Sequence, residues 1–412
     1  MVERRLVMRR IFLVGVAVMC IAGVLGLASV SVAADTIKIA AMEPLSGNFK
    51  DIGERYLSGV EYAVKEINAG GGLLGQKVEL IAVDTELKPD VATRKATKLI
   101  MQDDVKFFCG GTGSSVGGAM SVLAEKNNAI MISYGMAAAS LTGPKCSKNF
   151  FRTCLSTNQQ SYALAAWVVK NGYKKIATIA QDYSFGHEAT AAFIKRVKKL
   201  DPSAEITVEL YHKAGEKDYA PYISQIISSK PEIVFTSNWG NDLTLLIKQA
   251  ESLGLKEKFA CYYLNDEYVI STVGSDQAVV DSVTAECYML SIPTEKNKKF
   301  VEGYYKEYGH YPTYLRGKAY SSIMFWAEAV KKAGSTKVKD VINAWEGLKW
   351  DGLAGTWEMR ACDHQAQIPA WIGKIVKDNK YFKHPFVGQA TIIPAGDIAT
   401  PCGETGCTRI KQ

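Results

Sequence analysis

The stretch VKFFCGGTGSS at residues 105–115 decides how this chain folds. Its first half is a short apolar run bounded by glycines, which is typical of a buried strand. The glycines that follow predict a tight turn, because residues without a Cβ adopt such turns at little cost. Ser114 and Ser115 are good N-cap residues, and apolar side chains recur from Val116 to Ala124 at helical spacing. The stretch therefore predicts a strand, a polar turn and a helix.

A second strand follows directly at AIMI (residues 129–132) and ends in the polar sequence SYGMA (residues 133–137). Two neighbouring strands thus deliver two glycine-bearing loops to one edge of the predicted sheet, and ligands bind at that edge in open α/β sheets. Main-chain N–H groups and hydroxyls there suit an anion such as a carboxylate. The alternative interpretation is an ordinary βαβ unit whose helix is capped for structural reasons alone.

Motifs of nucleotide-binding and catalytic proteins are incomplete in this chain. The glycine-rich turn lacks the Lys-Ser/Thr of a P-loop, and Val116 stands where a dinucleotide-binding fingerprint needs its last glycine. His187-Glu188 begins like a zinc-protease motif, but Ala191 replaces the second histidine. Thr112 and Val116 flank Ser114, so the G-x-S-x-G nucleophile motif fails as well. We expect no catalysis, no cofactor and no metal.

The rest of the chain repeats one rhythm of strands and helices. They alternate from residue 36 onward, and the same order restarts after Thr153, which predicts an α/β fold of two consecutive lobes with mostly parallel sheets. The last third includes a Trp- and Gly-rich segment at residues 345–395. We expect it to add to both lobes and not to form a separate domain. We assign residues 35–154 and about 291–370 to an N-terminal lobe, and residues 155–290 and about 371–412 to a C-terminal lobe.

The first 34 residues have the pattern of a secretory signal peptide. A basic start with four arginines precedes an apolar run at residues 11–30 and the small residues Val32-Ala33-Ala34. The alternative is an uncleaved anchor, because residues 11–34 carry no charge and are long enough to span a bilayer. The paired arginines leave both the general and the twin-arginine export routes open. We expect a periplasmic protein without membrane insertion after cleavage.

Charge and composition exclude a nucleic-acid-binding protein. Apolar residues make up 47% and charged residues 22% of the 412 residues, as in a soluble globular protein. The formal net charge is +7, and the first 34 residues supply four arginines against one glutamate. The remaining charges of both signs are interspersed, so they form no basic stripe.

Eight of the nine cysteines lie beyond residue 34, an even number that predicts disulfides in an exported protein. Local spacing favours two pairs, Cys402–Cys407 and Cys146–Cys154, and leaves the other four cysteines unassigned. Metal binding is the rival interpretation, but the sequence contains no C-x-x-C.

Several short segments of the chain form a pattern in their order and spacing. They are INAGGGLLG (67–75), VD (83–84), FRT (151–153), DYSFG (182–186), GEKDY (215–219), QAESLGL (249–255) and DHQ (363–365). Together they resemble type I periplasmic solute-binding proteins, most nearly the leucine/branched-chain amino acid-binding family of the ABC transporters, over nearly all of residues 35–395. The resemblance implies two Rossmann-like lobes joined by three hinge strands, with a solute held in the cleft between them.

The resemblance also implies which residues bind the solute. In the first lobe these are the two polar loops, with Ser114, Ser115, Gly135, Met136 and Ala137. In the second lobe they are Phe185, Trp239 and Asp266.

Two departures from the family pattern bear on the solute. Met136-Ala137 stands where an Ala-Thr pair usually holds an amino acid, so one hydroxyl is missing. The acid that usually holds an ammonium group falls within residues 262–267, where Asp266 is the candidate. Tyr134, Phe185 and Trp239 would give the pocket aromatic walls, although core packing is the alternative for each ring. We expect a small carboxylate, either an amino acid or an aromatic or aliphatic acid.

The expected function follows from two lobes and a hinge. A solute that contacts both lobes shifts the equilibrium toward the closed form, which an ABC transporter permease would recognise. We expect a monomer. The alternative is a solute-binding sensor subunit for a receptor or kinase, because one fold serves both uses. Transport is favoured because no signalling domain and no later apolar span are present in the sequence.

Overall fold

A computed structural model describes residues 36–408 of the chain. The predicted signal peptide lies outside these residues. The strands are β1 (Ile37–Glu43), β2 (Val78–Asp84), β3 (Phe107–Gly110), β4 (Ile130–Ser133), β5 (Phe150–Arg152), β6 (Lys175–Gln181), β7 (Glu205–His212), β8 (Ile233–Thr236), β9 (Lys258–Cys261), β10 (Val283–Glu286), β11 (Lys349–Gly352), β12 (Gly355–Met359), β13 (Ala366–Gln367), β14 (Ala370–Val376), β15 (Phe386–Val387) and β16 (Thr391–Ile393).

The helices connect these strands and cover the faces of the sheets. They are α1 (Lys50–Ala69), α2 (Pro89–Asp103), α3 (Ser114–Lys126), α4 (Thr157–Lys170), α5 (Ser184–Leu200), α6 (Ala220–Ser229), α7 (Gly240–Ser252), α8 (Glu267–Val273), α9 (Asp276–Val279), α10 (Glu295–Tyr308), α11 (Tyr314–Ala333), α12 (Val338–Trp345) and α13 (Ala395–Ile398). Short 3₁₀ turns occur at Gly47–Phe49, Ala139–Thr142 and Cys402–Glu404.

The first sheet has the strand order β2-β1-β3-β4-β5, and all of its pairs are parallel. Helix α1 buries a face that includes Tyr56, Val60 and Ile67, and α11 packs along α1. Because every strand runs in the same direction, the loops after β1, β3 and β4 meet at one edge. We call this sheet with its helices the first lobe.

The second sheet repeats that order and then extends it. Its strands run β7-β6-β8-β9-β10, parallel to one another, and then β14 and β15. Strand β14 is antiparallel to β10, β15 and β16. We call this sheet with its helices the second lobe. The predicted α/β fold of two lobes is confirmed. The second sheet is mixed, because the chain returns from the first lobe and adds β14 antiparallel to β10.

The last third of the chain packs against the first lobe and extends the second sheet. A small antiparallel sheet, β11-β12-β13, brings the buried Trp357 against Phe325 of α11, whereas β14 joins the second sheet. The chain therefore passes between the two large sheets three times, before α4, before α10 and before β14.

Both disulfide pairs predicted from local spacing are wrong. Cys146 pairs with Cys407, 261 residues away, and Cys362 pairs with Cys402. The tail returns to the first lobe and brings Gly406 beside Pro144, while the extended strand β5 separates Cys146 from Cys154. Cys154 is a buried free thiol, and so are Cys109, Cys261 and Cys287.

Candidate functional site

The glycine-serine loop after β3 has a different role from the predicted one. Gly113, with φ of +85°, is the N-cap of α3, and within residues 36–408 no side chain caps this helix. The predicted capping by Ser114 and Ser115 is therefore wrong. The Ser114 hydroxyl instead accepts a hydrogen bond from the N–H of Ala138 at 3.2 Å, which ties the first loop to the second. The first N–H groups of α3 keep no acceptor inside the helix.

Glu43, at the end of β1, forms hydrogen bonds with the glycine-serine loop after β3. Its carboxylate accepts hydrogen bonds from the Gly111 N–H and the Thr112 hydroxyl, both at 2.6 Å. Burial raises the pKa of Glu43 to about 7, against the opposing effect of these hydrogen bonds. The sequence analysis missed this residue, although an acid that ends the apolar run IKIAAM was a usable signal.

Two glycines let the loops of the first lobe pack closely around two tyrosines. A Cβ at Gly111 would lie 2.6 Å from the ring of Tyr56, and one at Gly135 would overlap the Tyr56 hydroxyl. Tyr134 is fully buried, and its ring centroid lies 5.0 Å from that of Tyr56. Gly135 therefore serves close loop packing, and Tyr134 forms part of the wall beneath the loops.

Met136 turns its side chain into the core of the first lobe. A Cβ on Gly117 of α3 would lie only 2.6 Å from the Met136 sulfur. The N–H of Met136 donates to the Ser133 hydroxyl at 3.1 Å. The next residue, Ala137, uses its carbonyl to accept from Thr157 N–H at the start of α4. The side chain of Met136 is thus directed away from the neighbouring lobe.

The second lobe brings aromatic side chains to its own strand ends. Trp239 follows β8 and donates its indole N–H to the Tyr183 hydroxyl at 3.0 Å. Phe185, in the first turn of α5, lies 5.8 Å from the ring of Tyr183 and 6.3 Å from that of Tyr263. The structure thus links Trp239 to Phe185 through Tyr183, and Tyr263 extends this cluster, whereas Tyr134 packs on Tyr56 in the first lobe.

The two lobes touch across the cleft between these strand ends. The rings of Phe49 and Trp239 lie 5.2 Å apart, and Glu188 of α5 accepts from the N–H of Ala139 at 2.9 Å. The rings of Tyr263 and Tyr314 lie 6.2 Å apart. Since every one of these contacts joins one lobe to the other, the structure corresponds to a closed arrangement.

Asp266 is engaged by a cation of the opposite lobe. Nη1 of Arg55 lies 2.6 Å from its carboxylate, Nη2 forms a second hydrogen bond at 3.2 Å, and the Tyr268 N–H donates at 3.0 Å. The two charged side chains are 6% and 3% exposed, and Arg55 also contacts the exposed Asp51 on its own helix. The acid that was expected to hold an ammonium group is therefore already paired.

A second ion pair joins the lobes near the hinge. Lys318 of α11 contacts Glu286 of β10, and both side chains are almost completely buried. Gln160 donates to the other oxygen of Glu286 at 2.9 Å. Burial acts to lower the pKa of Lys318, but the adjacent Glu286 carboxylate raises it well above its ordinary value. The Lys318 ammonium is therefore charged at neutral pH.

Arg152 positions the segment after the second loop. It is fully buried and donates to the Ala138 carbonyl at 2.5 Å, and it also bonds Gln365 and Thr142. Burial lowers the pKa of Arg152 to about 10, so the guanidinium remains charged with neutral acceptors. These bonds link the loop after β4 to the returning chain.

A pocket of about 450 Å³ opens where the first-lobe loops face the second lobe. It is lined by Ser114, Ser115, Gly118, Ala119, Val122, Ala138, Ser140, Leu141, Pro144, Lys145 and Ser184. Ser184 starts α5 of the second lobe, so the pocket is bounded by both lobes. Among the described residues, no three His, Cys, Asp or Glu side chains are grouped as a metal site requires, and no helix is long and apolar enough to cross a bilayer.

Comparison with known proteins identifies relatives along most of the chain. The Leu/Ile/Val-binding protein homolog 4 of Brucella abortus (strain 2308) is 29% identical over 364 residues, which cover 84% of this chain and 85% of that protein. The closed conformation of the leucine-, isoleucine-, valine-, threonine- and alanine-binding protein of Brucella ovis superposes with a TM-score of 0.84 at 26% identity. This match covers 92% of the present chain and 100% of the other.

A second solved structure combines the same fold with an aromatic ligand. It is a solute-binding protein of an ABC transporter from Rhodopseudomonas palustris BisB5 in complex with 3,4-dihydroxybenzoic acid, with 25% identity and a TM-score of 0.76. The match covers 87% of the present chain and 98% of that one. The sequence profile of the periplasmic binding proteins matches residues 36–380, which is most of the chain. The protein therefore belongs to the periplasmic binding protein family.

Proposed function

We propose that this chain is the solute-binding component of an ABC importer and that it captures a small carboxylate between its two lobes. The observation that carries the proposal is the set of contacts between strand ends of opposite lobes, above all Phe49 with Trp239 and Ala139 with Glu188. A solute seated between such loops contacts both lobes only in the closed form, so its binding free energy drives closure.

The two sides of the cleft suit the two ends of such a solute. On the first lobe, the start of α3 and the Ser115 hydroxyl offer donors to a carboxylate. On the second lobe, Trp239 and Phe185 offer ring surface to an apolar body. We propose that Ser115, Trp239 and Phe185 contact the solute. The residues that form or support the walls of the site are Ser114, Tyr134, Gly135, Met136, Ala137 and Asp266.

The proposal extends to export and assembly. Residues 1–34 act as a cleaved signal peptide, and the mature chain works as a periplasmic monomer that presents its solute to the membrane permease. Residues 35–154 and about 291–370 form one lobe, and residues 155–290 and about 371–412 form the other. Support comes from the relatives, among them a Leu/Ile/Val-binding protein homolog and a solute-binding protein of an ABC transporter.

A thermal-shift screen of residues 35–412 tests the proposal. The protein is first unfolded and refolded to release any retained solute, and then mixed with amino acids, aromatic carboxylates, short fatty acids and their neutral amides. We expect one class of carboxylate to raise the melting temperature, because a ligand that binds only the native state stabilises it. A melting temperature unchanged by every carboxylate, in protein shown by mass spectrometry to be solute-free, would contradict the proposal.

A further inference from the structure

We infer that the solute is an aromatic carboxylate without an ammonium group, and that the Arg55–Asp266 ion pair sets this preference. The inference rests on the proposed function and names the solute class of the same cleft. It follows from where the buried acids of the protein find their partners.

Five acidic side chains are buried within residues 36–408, and each accepts hydrogen bonds from at least two protein groups. The donors are Gly111 and Thr112 for Glu43, Gln181 and Gly215 for Asp242, Arg55 and Tyr268 for Asp266, Gln160 and Lys318 for Glu286, and Arg360 and Gln365 for Asp363. In this closed arrangement, every buried carboxylate of the described residues is therefore already engaged by protein groups.

An α-amino acid would have to bury its ammonium group in this closed cleft. Removing an ammonium from water costs several kcal/mol in real proteins unless a carboxylate compensates. Ring faces such as those of Trp239 and Tyr183 return only about 0.5–2 kcal/mol through cation–π attraction. Asp266 is the acid at the end of the second-lobe strands that could compensate, but its carboxylate is held by both Nη atoms of Arg55.

The remaining features of the cleft suit an aromatic acid. The ring of Phe49 contacts Trp239, whose indole N–H bonds the Tyr183 hydroxyl, and ring contacts lead from Tyr183 through Phe185 to Tyr263, just after β9. Two buried oxygens at second-lobe strand ends, Gln181 Oε1 and Ser237 Oγ, have no hydrogen-bond partner among the described residues. Neutral acceptors of this kind can pair with a ring hydroxyl, whereas they compensate an ammonium charge less well than a carboxylate does.

Matched pairs of ligands test the inference by calorimetry on the refolded protein. The pairs are 3-phenylpropionate with L-phenylalanine and 4-methylpentanoate with L-leucine, together with benzoate and 4-hydroxybenzoate. We expect an aromatic acid to bind most tightly, and 3-phenylpropionate to bind at least about tenfold more tightly than L-phenylalanine, or about 1.4 kcal/mol. Equal affinities within the pairs, or tighter binding of an amino acid, would overturn the inference and leave the proposed function intact. Binding of no carboxylate at all would overturn both.

The variant Arg55→Gln tests the role of the ion pair. Asp266 then loses its cation, so the ratio of the two dissociation constants should move at least about tenfold toward L-phenylalanine. Arg316→Gln is the matched control, because Arg316 also pairs with an acid of the second lobe, Glu267, at 3.4 Å, without contacting Asp266. It should change both affinities by the same factor. An unchanged ratio in Arg55→Gln, with both ligands still bound, would show that the pair does not set the preference.

Discussion

The two lobes share one strand order but present different chemistry at equivalent strand ends. Strands β2-β1-β3-β4-β5 correspond to β7-β6-β8-β9-β10. After β3 the first lobe has small residues and the start of α3 at Ser114, whereas after β8 the second lobe has Trp239 and the start of α7. The fold therefore fixes where the loops meet, and the side chains decide what they bind.

The same contrast holds for charge. The first lobe contributes the cations of both buried ion pairs from its helices, namely Arg55 of α1 and Lys318 of α11. The second lobe contributes the acids at or just after its strands, namely Asp266 after β9 and Glu286 in β10. Closure of the lobes is thus stabilised by buried ion pairs in addition to any solute, and each prediction below alters one side of this comparison.

The largest effect is expected at the buried pair. Lys318→Met leaves Glu286 buried without its cation, which should lower the free energy of unfolding by about 3–5 kcal/mol in urea denaturation. Lys331→Met, on the same helix but in an exposed pair with Glu328, should change it by less than about 0.5 kcal/mol. Equal losses in the two variants would show that the Lys318–Glu286 contact is not formed as described.

The first lobe also differs from the second in its covalent link to the C-terminal tail, because Cys146 of the first lobe forms a disulfide with Cys407. Removing this bond by Cys407→Ser should lower the free energy of unfolding by about 2–5 kcal/mol. Thiol titration of the unreduced, denatured protein should then find one additional thiol, that of Cys146. The control Cys154→Ser should instead remove one thiol, since Cys154 is unpaired. One additional thiol in Cys154→Ser would instead indicate a bond between Cys146 and Cys154.

Equivalent strand ends also differ in titration, because β1 ends in Glu43 and β6 ends in the amide Gln181. The pKa of Glu43 is raised from 4.5 to about 7, so between these values the native state keeps a proton that the unfolded chain has lost. Stability should therefore fall by about 3 kcal/mol as the pH rises through this window and level off above it.

Glu43→Gln isolates this contribution. The amide still accepts from the Gly111 N–H, but it does not titrate. The difference in unfolding free energy between wild type and variant should therefore decrease from pH 4.5 to about 7, and other groups cancel in that difference. A difference that does not change with pH would show that Glu43 has an ordinary pKa in the folded protein.

Sequence patterns predicted the features that depend on neighbours along the chain. The alternation of strands and helices set the two lobes, and the position of Trp239 just after an apolar run placed it at a strand end. Phe185 was instead assigned from the resemblance of the segment DYSFG to the family pattern. Such features are local, because strand and turn signals are carried by a few consecutive residues.

The features that sequence patterns did not predict depend on distant residues. Arg55 and Asp266 are 211 residues apart, and Cys146 and Cys407 are 261 residues apart, so no local spacing relates them. Met136 shows a second limit. Its polar neighbours suggested a binding loop, but the direction of its side chain is set by the cavity that Gly117 leaves in α3, which only the folded structure reveals.

The smallest effect on stability, with a clear effect on binding, is expected at Trp239. This half-buried residue contacts Phe49 of the opposite lobe, so Trp239→Ala should weaken solute binding at least about tenfold, or about 1.4 kcal/mol, with little change in melting temperature. Trp167→Ala is the control, because Trp167 is also half-buried in the second lobe but packs on Tyr173 and Lys374. It should leave affinity unchanged. If Trp239→Ala instead lowers the melting temperature and keeps full affinity, Trp239 is a core residue and the aromatic side of the comparison fails.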